Sequence, residues 1–156
     1  MKKILFVCTG NTCRSPMAEV ILKAKIKNAG VKGVRVSSAG LSAETGGKMS
    51  KNSITALKNL GYAPRGFKSK PADAKTLLSS DIIVCMTAEH KNRIKNFPGT
   101  VTVRELTGFC DISDPYGAGL DEYVKTSHEI EDVCNIIVEK IISGELWTLP
   151  ESDKIV

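Results

Sequence analysis

Aromatic residues are scarce in this chain, at 5% of 156 residues, and histidine occurs only twice, as His90 and His128. A nucleic-acid surface would interleave aromatics with a Lys/Arg run, and no such run exists, so that class of partner is not expected. Neither histidine lies in a ligand-spaced cluster and the five cysteines form no metal pattern, so no metal or other cofactor is expected. No apolar span reaches the roughly 20 residues that a membrane helix needs. Lys2 and Lys3 are followed by neither a long apolar stretch nor a small-residue cleavage site, so secretion is not expected. The net charge of +5 is modest. It favours acidic or phosphorylated partners through long-range attraction. Lys48, Lys51, Arg65, Lys68, Lys70, Lys91 and Arg93 read as a solvated face.

What is present is an ordinary apolar content of 42%, enough for one domain with a sizeable core. Residues 3–7 are an apolar run without alternation, as in a buried parallel strand. Residues 17–26 follow as an amphipathic helix with Pro16 in its first turn and Gly30 as terminator. Strands are expected at 34–37, 81–86 and 101–104. Helices are expected at 51–60 behind a Ser50 cap, at 71–79, at 88–96 behind Thr87, and at 120–143. In the last of these, Ile130, Val133, Cys134, Ile137 and Ile141 recur at helical spacing. Four strands alternating with helices predict an α/β fold: a doubly wound parallel sheet with helices on both faces. The body ends near residue 144. Residues 145–156 form an extension in which Trp147 either folds back or meets another molecule.

The first strand runs directly into Cys8-Thr9-Gly10-Asn11-Thr12-Cys13-Arg14-Ser15-Pro16. A loop between a strand's C-terminal end and a helix N-terminus is where open α/β sheets bind ligands. Its amides and the positive helix end can cradle a dianion. Cys8 is the candidate nucleophile, with its thiolate favoured by that helix end and by nearby positive charge. Arg14 offers a planar fork for two phosphate oxygens. Ser15 can donate to the Cys8 sulfur. Gly10 and Asn11 suit the positive-φ backbone of a tight anion loop. The bland alternatives are a buried cysteine after a strand and a Gly-Asn turn.

Departure of the leaving group calls for an acid on a loop near the sheet's C-terminal edge. The Gly- and Pro-containing stretch 111–119 supplies two candidates, Asp111 and Asp114, and either could simply cap a turn. Pro115 restricts the backbone of Asp114. Of the remaining residues, His90 is expected to be partly exposed and structural. Cys85 and Cys134 read as core fillers, and Cys110 has no assigned role.

The run from Val7 to Glu19, together with Ser37-Ser38-Ala39-Gly40 and Asp114-Pro115-Tyr116-Gly117, resembles the low-molecular-weight protein tyrosine phosphatase family over residues 2–144. The resemblance implies a three-layer fold with strand order 2-1-3-4 and hydrolysis through a phosphocysteine on Cys8. Thr9, Gly10, Asn11, Thr12, Cys13, Arg14 and Ser15 would bind phosphate and set the loop. Asp114 would be the general acid, and Tyr116 and Leu41 would be opposite pocket walls beside Thr12. Cys13 would be a reversible disulfide partner for Cys8, which implies a reducing, cytoplasmic setting. Implied partners are phosphorylated proteins, with inorganic phosphate as product and competitive inhibitor. Some relatives dimerise, so the chain is expected to be a monomer or a weak homodimer.

Thr12 stands where tyrosine-directed members carry a bulky aliphatic residue, and threonine there resembles a bacterial branch acting on phosphoarginine. Its hydroxyl can accept from a guanidinium and leaves room for one. Protein arginine phosphatase is the main reading and tyrosine phosphatase the alternative. A thioredoxin-coupled arsenate reductase would need a resolving cysteine pair after the third strand, and only Cys85 is there. A non-catalytic phosphoprotein-binding module would need neither Cys8 nor Asp114.

Overall fold

The computed structural model describes residues 1–148. Four parallel strands form one sheet: β1 (Lys2–Cys8), β2 (Val34–Gly40), β3 (Ile82–Cys85) and β4 (Thr100–Thr102), in the order β2-β1-β3-β4. Among the described residues six α-helices accompany it: α1 (Arg14–Asn28), α2 (Lys51–Asn59), α3 (Ala74–Leu78), α4 (Ala88–Ile94), α5 (Val103–Thr107) and α6 (Leu120–Ser143). The pleat of β1 splits the interior. Ile4, Phe6 and Cys8 face a large core built with α1, α2, α5 and α6. Leu5 and Val7 face a smaller one with Leu77 of α3 and Ile94 of α4. Burial on both faces is why β1 reads as a continuous apolar run.

The structure corrects several expected boundaries. β2 continues to Gly40, because Ser38, Ala39 and Gly40 pair with Phe6, Val7 and Cys8. Those small residues lack a strand signature but allow close approach. A Cβ on Gly40 would lie 2.6 Å from Thr9 O and 2.8 Å from Asn11 N. Pro71 makes an isolated bridge with Gly40, and the helix expected from 71 begins at Ala74 behind an Asp73 cap. β4 stops at Thr102, which starts α5 by a reciprocal capping pair with Glu105. The Thr-x-x-Glu spacing carried that signal.

Trp147 folds back. It is half-buried against the large core, with Lys2 Nζ 5.7 Å from its ring centroid. The rest of the expected extension, 149–156, lies outside the described residues.

Candidate active site

β1 delivers Cys8 at the end of the central strand pair, and the chain turns immediately into α1. The turn needs one left-handed residue. Asn11 supplies it, at φ 53°, whereas Gly10 has no positive φ, contrary to expectation. Asparagine tolerates this region better than other side-chain-bearing residues because it bonds locally. Here two of its three bonds are long-range. Asn11 Oδ1 accepts from Lys70 N at 3.0 Å, which fixes the amide's orientation. Nδ2 therefore donates to Ser15 Oγ and Ser38 Oγ, both at 2.9 Å. Ser38 Oγ donates in turn to Glu19 Oε1 at 2.7 Å, and Lys23 donates to the other Glu19 oxygen.

This orientation decides a proton. Ser15 Oγ accepts from Asn11, so its single hydrogen is left for Cys8 Sγ, 2.9 Å away and nearer than the other acceptor, Ala39 O at 3.5 Å. Cys8, Asn11 and Ser15 are all buried. The N-terminus of α1 has no side-chain cap, which leaves its first amides free beside the loop.

Arg14 is 4% exposed. One guanidinium nitrogen donates to Ile112 O at 3.0 Å. The other lies 3.4 Å from both Thr9 Oγ1 and an Asp114 oxygen. The second carboxylate oxygen of Asp114 accepts from Tyr116 N. Asp111, the other candidate acid, instead accepts from Ala88 N at 3.1 Å and caps α4. Cys8, Thr9, Gly10, Thr12, Cys13, Arg14, Asp114 and Tyr116 line one cavity of about 230 Å³. Tyr116 is 81% exposed at its mouth.

Leu41, expected as the opposite wall, does not line this cavity. Its side chain packs on the smaller core, while its N–H donates to Cys8 O. On the expected solvated face, Lys91 pairs with Glu105 at 2.8 Å. Cys13 is buried in the floor, with Ser50 Oγ at 3.5 Å and Tyr123 OH at 3.6 Å. Burial, then the Cys13 contact, push the Tyr123 hydroxyl up to about 12. Cys85 and Cys134 are fully buried, and burial pushes the Cys85 thiol up to about 12. Among the described residues no group of three His, Cys, Asp or Glu could hold a metal ion.

His90 departs most from its expected place. It is 5% exposed and its Nε2 lies 2.9 Å from Thr9 Oγ1. Burial, then the Arg14 guanidinium, hold it down at about 4. It is the third residue of α4, behind the Thr87 cap, and nothing in the local sequence signals the approach of its ring to the loop.

A family model described as low molecular weight phosphotyrosine protein phosphatase matches residues 3–144. The protein-arginine-phosphatase of Bacillus subtilis is 35% identical over 145 residues, 88% of this chain and 95% of that one. A low molecular weight protein tyrosine phosphatase from T. tengcongensis superposes with a TM-score of 0.83 at 35% identity, over 90% of this chain and 99% of that one. The arginine phosphatase YwlE, in a cysteine-to-serine variant with a phosphorylated active-site serine, gives 0.83 at 32%, over 90% and 95%.

Proposed function

The chain belongs to the low molecular weight phosphotyrosine protein phosphatase family of cysteine-based enzymes, and on that premise we propose that it hydrolyses phosphoarginine in proteins, through a phosphocysteine on Cys8. The observation that carries the substrate reading is the pairing of Thr12 and Asp114 in the same cavity as Cys8 and Arg14. A hydroxyl acceptor suits the N–H groups of a guanidinium, and the Asp114 carboxylate left after proton transfer suits the departing cation, with the Tyr116 ring at the rim to stack on it. The Bacillus subtilis relative is likewise a protein-arginine-phosphatase.

Cys8 Sγ would attack phosphorus as the P–N bond breaks. Arg14 and the loop amides would hold the equatorial oxygens. Asp114 would give its proton to the departing guanidine nitrogen, then take one from the water that cleaves the S–P bond. Inorganic phosphate, the product, would compete for the same cradle. Peroxide would convert Cys8 to a sulfenic acid, and the Cys13 thiol would displace water from it to give a disulfide. A reducing, cytoplasmic setting would keep the Cys8 thiol in its active form. A phosphorylated protein is the partner this scheme requires, with the enzyme acting as a monomer or weak homodimer and without nucleic acid or membrane.

The alternative, a phosphotyrosine phosphatase, is favoured by the exposed Tyr116 ring and by the T. tengcongensis structure. Matched phosphoarginine and phosphotyrosine peptides separate the two. A kcat/KM ratio above about 100 toward phosphoarginine, or roughly 2.7 kcal/mol of transition-state discrimination, is expected. A ratio near one or below returns the chain to the tyrosine class. Cys8→Ser should lose more than about 10⁴-fold in kcat and still bind phosphate. Full activity in that variant would refute the covalent route.

A further inference from the structure

His90 is a buried titratable group that the phosphoryl-transfer scheme leaves unused. Its Nε2 meets Thr9 Oγ1 at 2.9 Å, and its Nδ1 is buried with no partner. Thr9 Oγ1 also lies 3.4 Å from an Arg14 nitrogen, and Thr9 lines the cavity.

Counting hydrogens separates two arrangements. Arg14 can only donate, so Thr9 Oγ1 is an acceptor toward it. If Thr9 also gave its one hydrogen to His90 Nε2, the ring proton would sit on Nδ1 as a buried N–H without an acceptor. If instead Nε2–H donates to Thr9 Oγ1, the orphan at Nδ1 is only a lone pair. Buried N–H groups are almost always paired, whereas unpaired acceptors are better tolerated. The second arrangement is therefore favoured, and it leaves the Thr9 hydrogen uncommitted. A doubly protonated ring is disfavoured at neutral pH by burial and by Arg14, with Arg93 adding to them and Asp114 and Asp111 opposing.

We infer that His90 is a positioning residue: by donating from Nε2 to Thr9 Oγ1 it turns the Thr9 hydroxyl hydrogen into the cavity, as a further donor to the oxygens of a bound phosphoryl group. This deepens the proposed function and rests on its placement of the phosphoryl group beside Arg14. The threonine hydroxyl then adds a charge-assisted bond to the anion cradle. Its direction is set by a residue that never touches the ligand.

Two experiments test this. Ring ¹⁵N NMR of the unmodified protein at neutral pH reads the tautomer directly. Nε2–H is expected, and Nδ1–H would overturn the inference whether or not the phosphatase chemistry stands. The second is a cycle of inorganic phosphate affinity and kcat/KM for His90→Gln and His90→Leu, each in the Thr9 and Thr9→Val backgrounds. A glutamine amide can donate from near the Nε2 position. His90→Leu should weaken phosphate binding about tenfold and His90→Gln should stay within about threefold of wild type. In Thr9→Val, His90→Leu should have no further effect. Equal losses in His90→Gln and His90→Leu, or an undiminished His90→Leu effect without the Thr9 hydroxyl, would reduce His90 to packing. If His90→Leu does not fold, the tautomer measurement and the His90→Gln comparison still decide. Activity retained in Cys8→Ser would remove the covalent route, while phosphate affinity would still judge His90.

Discussion

Ser15 has one hydrogen, and the fixed amide of Asn11 leaves the Cys8 sulfur as its nearest acceptor. A hydrogen bond to a charged group is worth about 1.5–3 kcal/mol. Ser15→Ala should therefore lower kcat by about ten- to a hundredfold, with Tm also lowered because a buried Asn11 N–H loses its acceptor, and stopped-flow turnover of an aryl phosphate would read the first effect. Under the proposed function Thr12, which lines the cavity, would set specificity. Thr12→Ile removes the acceptor and fills the wall, so the preference for phosphoarginine over phosphotyrosine should fall by about tenfold or more. An unchanged ratio would remove Thr12 from the account. At this scale the sequence was most legible in the loop itself, where Cys8, Arg14 and Ser15 follow from chemistry and spacing. It was least legible for His90 and Tyr123, which reach the loop from α4 and α6, 81 and 110 positions from their partners Thr9 and Cys13.

Among the elements, β2 has the most demanding fit. Its final residue Gly40 lies under the loop, with Thr9 O and Asn11 N within 2.8 Å of where a Cβ would be, and Ala43 Cβ also at 2.8 Å. Two of those neighbours are backbone, so Gly40→Ala must move strand or loop. A loss of about 3 kcal/mol in stability is expected, with kcat down more than about a hundredfold. Urea unfolding and turnover measured on the same sample check both. The long apolar or strongly periodic elements were readable: β1, β3 and α6 occur where the sequence puts them, α6 to the residue. The errors fell on short elements. The end of β2 is small and polar, and α5 is five residues whose start rests on one capping pair. In such segments tertiary pairing outweighs local pattern.

For the whole molecule, the depressed His90 makes stability depend on pH. Its ordinary 6.5 falls to about 4 on folding, so between these values the unfolded chain binds the proton more readily. Stability is full above pH 6.5 and falls as the pH drops toward 4, by about 3 kcal/mol from this residue. Thermal melts of wild type and His90→Gln across that window should diverge, with the glutamine variant losing less. Curves that stay parallel would mean that the ring is not buried neutral. The two-faced burial of β1 was foreseeable from its unbroken apolar run, whereas the sheet order came only with the family resemblance. The fold-back of Trp147 was not, because a lone tryptophan after a helix carries no directional signal.

The Asn11 side chain joins Ser15, Ser38 and Lys70, groups 4, 27 and 59 positions away in the chain. No fragment shorter than the first 70 residues can therefore set the loop. During refolding, closure of that long span must precede a competent thiolate. Recovery of turnover should trail the return of helical signal and coincide with protection of the Lys70 amide from hydrogen exchange, so that catalytic activity serves as a late clock for assembly.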